Sequence, residues 1–180
     1  RAEALAVQLS SLRSQAAVEL ADSVNLELRH LAMKDATLLV SVTTGDELGP
    51  HGLDQVSMLL TSYPGAEPRP VNKSASGGEL SRIMLSLEVV LAKASAVPTF
   101  VFDEVDAGVG GATAIEVGRR LAKLAKTAQV IVVTHLAQVA AFADTHLRVT
   151  KAADASVTET DVHLLDRAER EIELARMLSG

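Results

Sequence analysis

Apolar side chains recur with helical spacing over the first 33 residues of the chain. The first group follows the four-three alternation of a coiled-coil seam and comprises Leu5, Leu9, Leu12 and Ala16. The second group has a four-four-three spacing that breaks the heptad register and comprises Leu20, Val24, Leu28 and Leu31. Because residues 1–33 contain neither proline nor glycine, the pattern predicts one continuous helix. So short a repeat fits an ordinary amphipathic helix at least as well as a coiled coil.

A strand pattern follows this helix. Residues 36–44 are rich in β-branched and aliphatic side chains, and residues 53–62 alternate between apolar and polar positions. Residues 45–52 between them carry glycine, proline and aspartate, which are typical of turns. The pattern predicts an antiparallel pair of strands. Residues 63–72 contain three prolines, which predict an extended linker.

From Ser76 onwards, helical and strand patterns alternate. The predicted helices cover residues 76–94, 112–126, 136–142 and 167–178. The predicted strands are two continuous apolar, and therefore buried, segments at 97–102 and 129–134, and a hairpin of 145–151 and 156–165 that turns near Ala153 and Asp154. The strand–helix–strand order over residues 97–134 predicts a parallel pair with a right-handed crossover. We therefore predict an α/β fold with a largely parallel sheet and flanking helices.

The composition fits such a fold and excludes several other classes of protein. Tyr63 and three phenylalanines are the aromatic residues, so the core must be built from aliphatic side chains. The absence of cysteine excludes disulfides and a cysteine-ligated zinc site. The 17 basic and 23 acidic residues give a net charge of -6, so no global charge attracts nucleic acid. No apolar stretch is long enough to span a membrane and no leader opens the chain, so we expect a cytoplasmic protein.

Two adjacent carboxylates end the predicted strand at residues 97–102. Asp103 is able to hold Mg²⁺ through water, and Glu104 is able to orient or deprotonate an attacking water molecule. Two carboxylates beside an apolar strand are costly unless a metal ion or hydrogen bonds compensate them. The alternative interpretation is a polar, helix-capping turn without catalytic chemistry.

The helix that begins near Ser76 has an unusual start. Ser76 and Glu79 have the spacing of a capping box. Gly77 and Gly78 lie between them, although a cap does not need glycines and each one lowers helix stability. Glycines at a helix start let backbone N–H groups contact an anion, aided by the helix dipole. We predict that this helix start contacts a phosphate group. The same residues can cap the helix at the same time.

Two further motifs follow the predicted parallel strands. Residues 106–111 contain three glycines, which predict a tight turn. One interpretation is that this turn is a flexible connection between a strand and a helix. The other is that it reports the state of a nucleotide to a neighbouring subunit. His135 ends the next strand, and active sites collect at the carboxyl ends of parallel strands. A lone histidine is normally a polar strand end, but beside Asp103 and Glu104 we favour a contact with a γ-phosphate.

Taken together and in order, these motifs resemble those of ABC-type ATPases. Residues 76–79 resemble the signature motif, residues 99–104 the Walker B strand, Asp106 with Gly108 the D-loop, and His135 the switch histidine. Longer stretches resemble the RecN family of bacterial SMC-like repair ATPases, and they lie at residues 75–85, 102–111, 134–140 and 173–180. The resemblance covers most of residues 70–180, while residues 1–69 are compatible with it but less diagnostic.

The resemblance implies a composite site for ATP and Mg²⁺ in a head-to-head homodimer. Asp103 would support the metal ion, Glu104 would polarise the hydrolytic water, and His135 would contact the γ-phosphate. The signature residues Ser76, Gly77 and Gly78 would reach nucleotide held by the other subunit, and Glu79 and Asp106 belong to the same nucleotide-binding set. ATP binding would close the dimer and hydrolysis would open it.

The chain contains no Gly-x-x-x-x-Gly-Lys-Ser/Thr sequence, so the loop that cradles phosphates is missing from it. In the family that the chain resembles, this loop lies in an N-terminal lobe beyond a long coiled coil. The resemblance therefore implies that residues 34–180 are the C-terminal lobe of an ABC/SMC-type P-loop NTPase head. Residues 1–33 would be the base of the coiled-coil arm. ATP hydrolysis would require the N-terminal lobe of the same protein.

The resemblance also implies a biological setting. It points to recombinational DNA repair, with DNA as a partner, no membrane partner, and a cytoplasmic location at the bacterial nucleoid. The sequence itself has no basic stripe that marks a DNA site. Two alternatives stay open at this point, a transporter-type ABC ATPase and a non-catalytic dimerisation lobe whose acidic pair is structural. The helical entry segment and the glutamate at position 79 favour the SMC-like interpretation.

Overall fold

The computed structural model describes residues 1–92, 97–154 and 157–179. Its helices are α1 (Ala2–His30), α2 (Val71–Ser74), α3 (Gly77–Leu91), α4 (Gly111–Leu124), α5 (Ala137–Ala140) and α6 (Arg167–Ser179). Its strands are β1 (Thr37–Gly49), β2 (Gly52–Thr61), β3 (Arg69–Pro70), β4 (Thr99–Phe102), β5 (Gln129–Val132), β6 (Leu147–Asp154) and β7 (Val157–Leu164). The predicted helices and strands are present. The predicted end of α3 near residue 94 lies outside the described residues.

The first helix is present as predicted, and it ends at His30, three residues before the predicted end at residue 33. Ala32 has a left-handed backbone conformation with a φ of 58°, which cannot continue a right-handed helix. The N–H of Met33 then donates to the carbonyl oxygen of Leu28 (3.2 Å), which satisfies one of the free carbonyls at the helix end. This turn directs the chain back along α1 and into β1.

The two apolar groups of α1 have different surroundings. The second group is buried or partly buried, and its members are Leu20, Val24, Leu28 and Leu31. The first group is exposed, and its members are Leu5, Leu9, Leu12 and Ala16. The second half of α1 therefore packs against the rest of the chain. In the predicted seam of the first half, Leu9 lies beside Gly52, while Leu5 and Leu12 are largely exposed within the described residues.

β1 and β2 form the predicted antiparallel pair. Leu38 pairs with Leu60 at the base of the hairpin, and both are buried against α1. The predicted turn over residues 45–52 is shorter than expected, because β1 continues to Gly49 and β2 resumes at Gly52 after an irregular register beyond Thr44. Gly52 has a φ of 92°, and this conformation allows a tight two-residue turn that the sequence pattern did not reveal.

Asp54 of β2 joins this hairpin to α1. Its buried carboxylate accepts a hydrogen bond from the hydroxyl of Ser10 (2.6 Å) and another from the guanidinium of Arg13 (3.1 Å). The Ser10 hydroxyl, followed by Arg13 and Thr44, holds the pKa of Asp54 below its ordinary value. Both ends of the hairpin are therefore fixed to the same helix.

The proline-rich segment is only partly the extended linker that the sequence predicted. β3 pairs with the end of β2 through Pro70 opposite Leu59 and Arg69 opposite Leu60. Proline is tolerated here because β3 is an edge strand. The short helix α2 follows at once and leads into α3.

β4 and β5 form the predicted parallel pair, and α4 connects them. Phe102 lies opposite Val132 and packs in a core with α4. The prediction that these strands are fully buried is wrong for this chain. Val101 is 67% exposed, and Ile131 and Val133 are exposed on the same face of the pair. Parallel strands are normally covered on both faces, and the described residues cover one.

β6 and β7 form the predicted C-terminal hairpin. Its turn was predicted near Ala153 and Asp154, but both lie in β6, and the connection at residues 155–156 lies outside the described residues. One face of the hairpin carries four exposed apolar side chains, which form the cross-strand pairs Leu147–Leu164 and Val149–Val162. The other face meets α6, where the buried carboxylate of Glu173 is bonded to Arg176 (2.6 Å) and lies 3.8 Å from Arg148.

The prediction of a largely parallel sheet is wrong for the described residues. Their strands form one parallel pair and two separate antiparallel sheets. Parallel neighbours need a connection of about a dozen residues or more, and within this part of the chain α4 provides one. The tight turn after β1 imposes antiparallel pairing on β2, and β6 also pairs antiparallel with β7, the next strand in sequence.

Candidate functional site

Three acidic side chains and a histidine follow the carboxyl ends of β4 and β5. Asp103 and Glu104 come directly after β4, and Asp106 lies two residues further on. His135 follows β5, and the N–H of Val133 donates to the carbonyl oxygen of Phe102 (3.0 Å), which extends the contact between the two strands. The parallel register therefore delivers both segments to the same end of the sheet.

Glu104 has an unusual backbone conformation. Its φ of 57° is left-handed, and this conformation costs a residue with a side chain about 1–2 kcal/mol. Its N–H donates to Oδ1 of Asp103 (2.9 Å), and its carbonyl oxygen accepts from the N–H of Ala107 (3.0 Å). Glycine would adopt this conformation without the cost, so a glutamate here points to a function of its exposed side chain.

Asp106 connects the two strand ends. It is 2% exposed, and its Oδ2 accepts hydrogen bonds from the hydroxyl of Thr134 and from the N–H of His135 (3.2 Å). The imidazole Nδ1 of His135 lies 3.3 Å from the same oxygen. The imidazole is nevertheless 73% exposed, so one side of the ring is held by the aspartate while the other can meet a ligand.

Ser76 caps α3 as the sequence predicted. Its Oγ accepts from the N–H of Glu79 (3.4 Å), and its own N–H and hydroxyl both donate to Oε2 of Glu79 (2.8 Å each). The Ser76 N–H, and then its hydroxyl, lower the pKa of Glu79, with a smaller contribution from the charge of Arg82. The capping box is thus complete within the chain, while the phosphate contact stays a prediction.

The two glycines of this motif permit a close approach between α3 and the turn after β4. A Cβ atom on Gly77 would lie 2.6 Å from Oε2 of Glu104. A Cβ atom on Gly78 would lie 2.8 Å from the Cβ of Ala107 and 3.2 Å from the carbonyl oxygen of Glu104. The glycines therefore have a role inside this chain, in addition to the phosphate contact that the sequence predicted. No pattern of neighbouring residues predicts this packing.

Two neighbouring residues of α3 were not among the predicted site residues. The hydroxyl of Ser81 donates to the carbonyl oxygen of Asp103 (2.7 Å), and Nη1 of Arg82 donates to the carbonyl oxygen of Ala107 (2.7 Å). Arg82 is 6% exposed, and burial lowers the pKa of its guanidinium. A charged residue among the apolar positions of α3 was the one available signal, because a buried arginine requires specific partners.

The structure brings together some of the predicted residues directly. His135 is in contact with Asp106, and Glu104 lies against Gly77, so the two strand ends and the start of α3 form one continuous site. The hydrogen bonds among the described residues do not link His135 to Asp103 or Glu104. The predicted meeting of these three at a phosphate stays a prediction.

The donor set fits a nucleotide-bound magnesium ion. Magnesium prefers oxygen ligands and usually takes one or two carboxylates, with water and phosphate oxygens completing its octahedron. Asp103 is exposed at the strand end and offers such a carboxylate. Within the described residues no group of three or more histidine, cysteine or acidic side chains could hold a metal ion. Magnesium bound here would need phosphate oxygens as further ligands.

We expect Glu79→Ala to destabilise the start of α3 by about 1 kcal/mol at pH 7, because it removes the acceptor of two hydrogen bonds. Since the folded-state pKa of Glu79 is lowered, its contribution is complete above the ordinary glutamate value of about 4.3 and disappears as the pH falls through the lowered value. The thermal midpoints of parent and variant should therefore differ at pH 7 and converge under acid. A difference that grows on acidification would contradict the assignment.

Comparison with known proteins gives consistent relatives. The family model described as "RecF/RecN/SMC N terminal domain" matches residues 9–158. The DNA repair protein RecN of Streptomyces coelicolor is 50% identical over 188 residues, covering 98% of this chain and 33% of that protein. RecN of Mycobacterium leprae is 50% identical over 195 residues (97% and 33%), and RecN of Rickettsia bellii is 43% identical over 176 residues (98% and 32%). The chain therefore spans about a third of the length of these relatives.

Solved structures agree on the fold. The Smc head domain of Pyrococcus yayanosii, with a coiled coil and joint, matches 92% of this chain and 30% of its own with a TM-score of 0.63 and 18% identity. A structure described as "Structural biochemistry of ATP-driven dimerization and DNA stimulated activation of SMC ATPases" matches 95% of this chain and 98% of its own, with a TM-score of 0.55 and 17% identity. At these identities the likeness concerns the fold, which is that of SMC heads. The resemblance to RecN is confirmed, and the chain belongs to the RecF/RecN/SMC family.

Proposed function

We propose that this chain is the C-terminal lobe of an SMC-like ATPase head that acts in recombinational DNA repair. The observation that carries the proposal is the cluster of Asp103, Glu104, Asp106 and His135 at the joined ends of two parallel strands, with the start of α3 against Glu104. Polar side chains that converge at the carboxyl ends of parallel strands are the usual location of an α/β active site. The family membership and the RecN relatives support the same interpretation.

Each residue has a role that its surroundings allow. Bound ATP with Mg²⁺ would supply the phosphoryl group and the positive charge that neutralises it in the transition state. Asp103 would hold the metal ion through its exposed carboxylate. Glu104 would orient the attacking water and take its proton. The exposed side of the His135 imidazole would donate a hydrogen bond to the γ-phosphate, with Asp106 fixing the ring from behind.

The start of α3 would serve a second nucleotide. Ser76, Gly77 and Gly78 would contact ATP held by an opposing head, and Glu79 would support that contact by keeping the capping box closed. In this proposal, the turn that follows Asp106 also contacts the opposing head. ATP would then join two heads, and its hydrolysis would release them.

The exposed apolar faces support completion by another lobe. Val101, Ile131 and Val133 leave one face of the β4–β5 pair uncovered, although parallel strands are normally covered on both faces. A cleft of about 260 Å³ between α3 and β4 lies beside this face. We propose that the N-terminal lobe of the same protein, with the phosphate-cradling loop that residues 1–180 do not contain, packs here. The exposed seam of α1 would belong to the coiled-coil arm.

DNA repair, DNA binding and a cytoplasmic, nucleoid-associated location are proposed from the RecN relatives. No described helix has the length and apolar character needed to cross a bilayer. The structure described above as concerning ATP-driven dimerization and DNA-stimulated activation of SMC ATPases supports a proposal of ATP-dependent pairing for this chain as well.

The assembly state of the complete protein tests this proposal. We expect light scattering after size-exclusion chromatography to report a higher mass in ATP and Mg²⁺ than in ADP and Mg²⁺, with twice the ADP mass as the upper limit. Released phosphate, measured in the same samples, should rise with time. If the mass is the same in both nucleotides, ATP-dependent dimerisation is ruled out. If the mass doubles without phosphate release, the result favours a non-catalytic dimerisation lobe.

A further inference from the structure

α3 presents one side to the turn that carries Glu104. Gly77 and Ser81 are one helical turn apart, as are Gly78 and Arg82, so all four lie on the same side of the helix. Each of them approaches the segment 103–107, the glycines by close packing and the other two by hydrogen bonds. One face of α3 therefore holds this five-residue segment through all four residues.

The two hydrogen bonds lie on either side of Glu104. Ser81 holds the carbonyl oxygen of Asp103, the residue before it, and Arg82 holds the carbonyl oxygen of Ala107, three residues after it (2.7 Å in each case). The turn itself is closed by the Ala107 N–H on the Glu104 carbonyl oxygen (3.0 Å). The backbone of Glu104 is therefore fixed from both ends by a neighbouring helix.

This arrangement opposes the preference of the Glu104 backbone. A left-handed glutamate returns to more favourable φ values unless the surrounding structure prevents it. Such a return would rotate the peptide group that contains the Asp103 carbonyl and would swing the Glu104 side chain away from Gly77. Arg82 is well suited to the task, because it is buried and its Nη1 donates a short hydrogen bond to the Ala107 carbonyl oxygen (2.7 Å).

We propose that Ser81 and Arg82 are positioning residues that hold the turn 103–107 in its left-handed conformation and so set the direction of the Glu104 carboxylate. The proposal rests on the proposed function in one respect, namely that the Glu104 carboxylate orients the hydrolytic water. It concerns neither the binding of ATP nor the contact between heads. Loss of either hydrogen bond should therefore affect turnover rather than nucleotide affinity.

The first test is the steady-state kinetics of Ser81→Ala in the complete protein. We expect kcat for ATP hydrolysis to fall about 5- to 10-fold, as for the loss of one hydrogen bond, with an unchanged KM for ATP. Ser81→Thr keeps the hydroxyl that donates to the Asp103 carbonyl oxygen and should restore most of the rate. Ser86→Ala is the matched control, since it deletes a serine hydroxyl of α3 that bonds to the carbonyl oxygen of Arg82 and not to the turn.

A double variant separates positioning from general destabilisation. In a Glu104→Gln background, Ser81→Ala should lower the remaining rate by less than about 2-fold, because there is no carboxylate left to position. Equal losses in the two backgrounds would show that Ser81 acts on stability alone and would overturn the proposal. An unchanged kcat for Ser81→Ala in the parent background would overturn it as well.

Hydrogen exchange gives a readout that does not depend on hydrolysis. We expect the amide of Ala107 to exchange about 5- to 10-fold faster in Ser81→Ala than in the parent, with little change in Ser86→Ala. If parent and Glu104→Gln proteins hydrolyse ATP equally, the proposed function fails, and the exchange result still decides whether Ser81 holds the turn. Unchanged exchange in Ser81→Ala would refute the positioning role even if the ATPase assignment is correct.

Discussion

Glu104→Gln in the complete protein should hydrolyse ATP at least about 100-fold more slowly than the parent, because the amide cannot take a proton from the attacking water. The shape of the side chain is kept, and glutamine meets the same left-handed backbone as glutamate, so the fold should not change. ATP affinity should stay within about 2-fold, since the substitution leaves the phosphate and metal contacts in place. Dimers should therefore accumulate in ATP, because the step that releases them is blocked. Phosphate release and light scattering measure the two effects.

Glu171→Gln is the matched control for this experiment. It makes the same chemical change on the exposed surface of α6, where Glu171 forms an ion pair with Arg167. In sequence, α6 is distant from the ends of β4 and β5. Its rate and assembly should equal those of the parent, since an exposed ion pair contributes little. Hydrolysis by Glu104→Gln at the parental rate would end the assignment of Glu104 and leave the acidic pair with a structural role.

Local patterns predicted the elements of this fold well. The helix start at Ser76 and the strand that ends at Phe102 follow from capping chemistry and from short apolar runs, which depend on neighbouring residues alone. The parallel pairing of β4 with β5 also followed, because an intervening helix leaves little alternative. These features require no knowledge of distant parts of the chain.

The exposure of the strands could not be predicted in the same way. An apolar residue at Val101 or Val133 indicates that a face can be buried, but it does not tell which part of the protein covers it. Here the other face of each strand packs on α4, while this one is open within the described residues. The pattern of α1 is similar, since Leu5 and Leu12 belong to an apolar stripe and are nevertheless exposed.

The fine structure of the site was hidden for a different reason. A left-handed φ is usually predicted from a glycine, but residue 104 is a glutamate. The contact between Gly77 and Glu104 joins residues that are distant in sequence. The bond from Ser81 to the Asp103 carbonyl oxygen is equally non-local. Motif recognition selected the candidate reacting groups, whereas the contacts of Ser81 and Gly77 with the turn depend on how α3 packs against it.

Asp106→Ala should loosen the connection between the two strand ends. The buried carboxylate accepts from the Thr134 hydroxyl and the His135 N–H, and hydrogen bonds to charged groups contribute about 1.5–3 kcal/mol. The amide of His135 should therefore exchange about 10- to 100-fold faster in the variant. Asp144→Ala, which deletes an exposed carboxylate, serves as the control and should leave this amide unchanged.

Thr134→Val then distinguishes a mechanical link from simple packing. The Thr134 hydroxyl donates to Asp106 and accepts from the N–H of Leu136 (3.1 Å), so it continues the chain of hydrogen bonds into the segment after β5. If Asp106 acts through this chain, the effect of Thr134→Val on the exchange of the Leu136 amide should be smaller in the Asp106→Ala background than in the parent. Additive effects would mean that the two side chains stabilise their own segments independently. The position of His135 would then be set by β5 and not by Asp106.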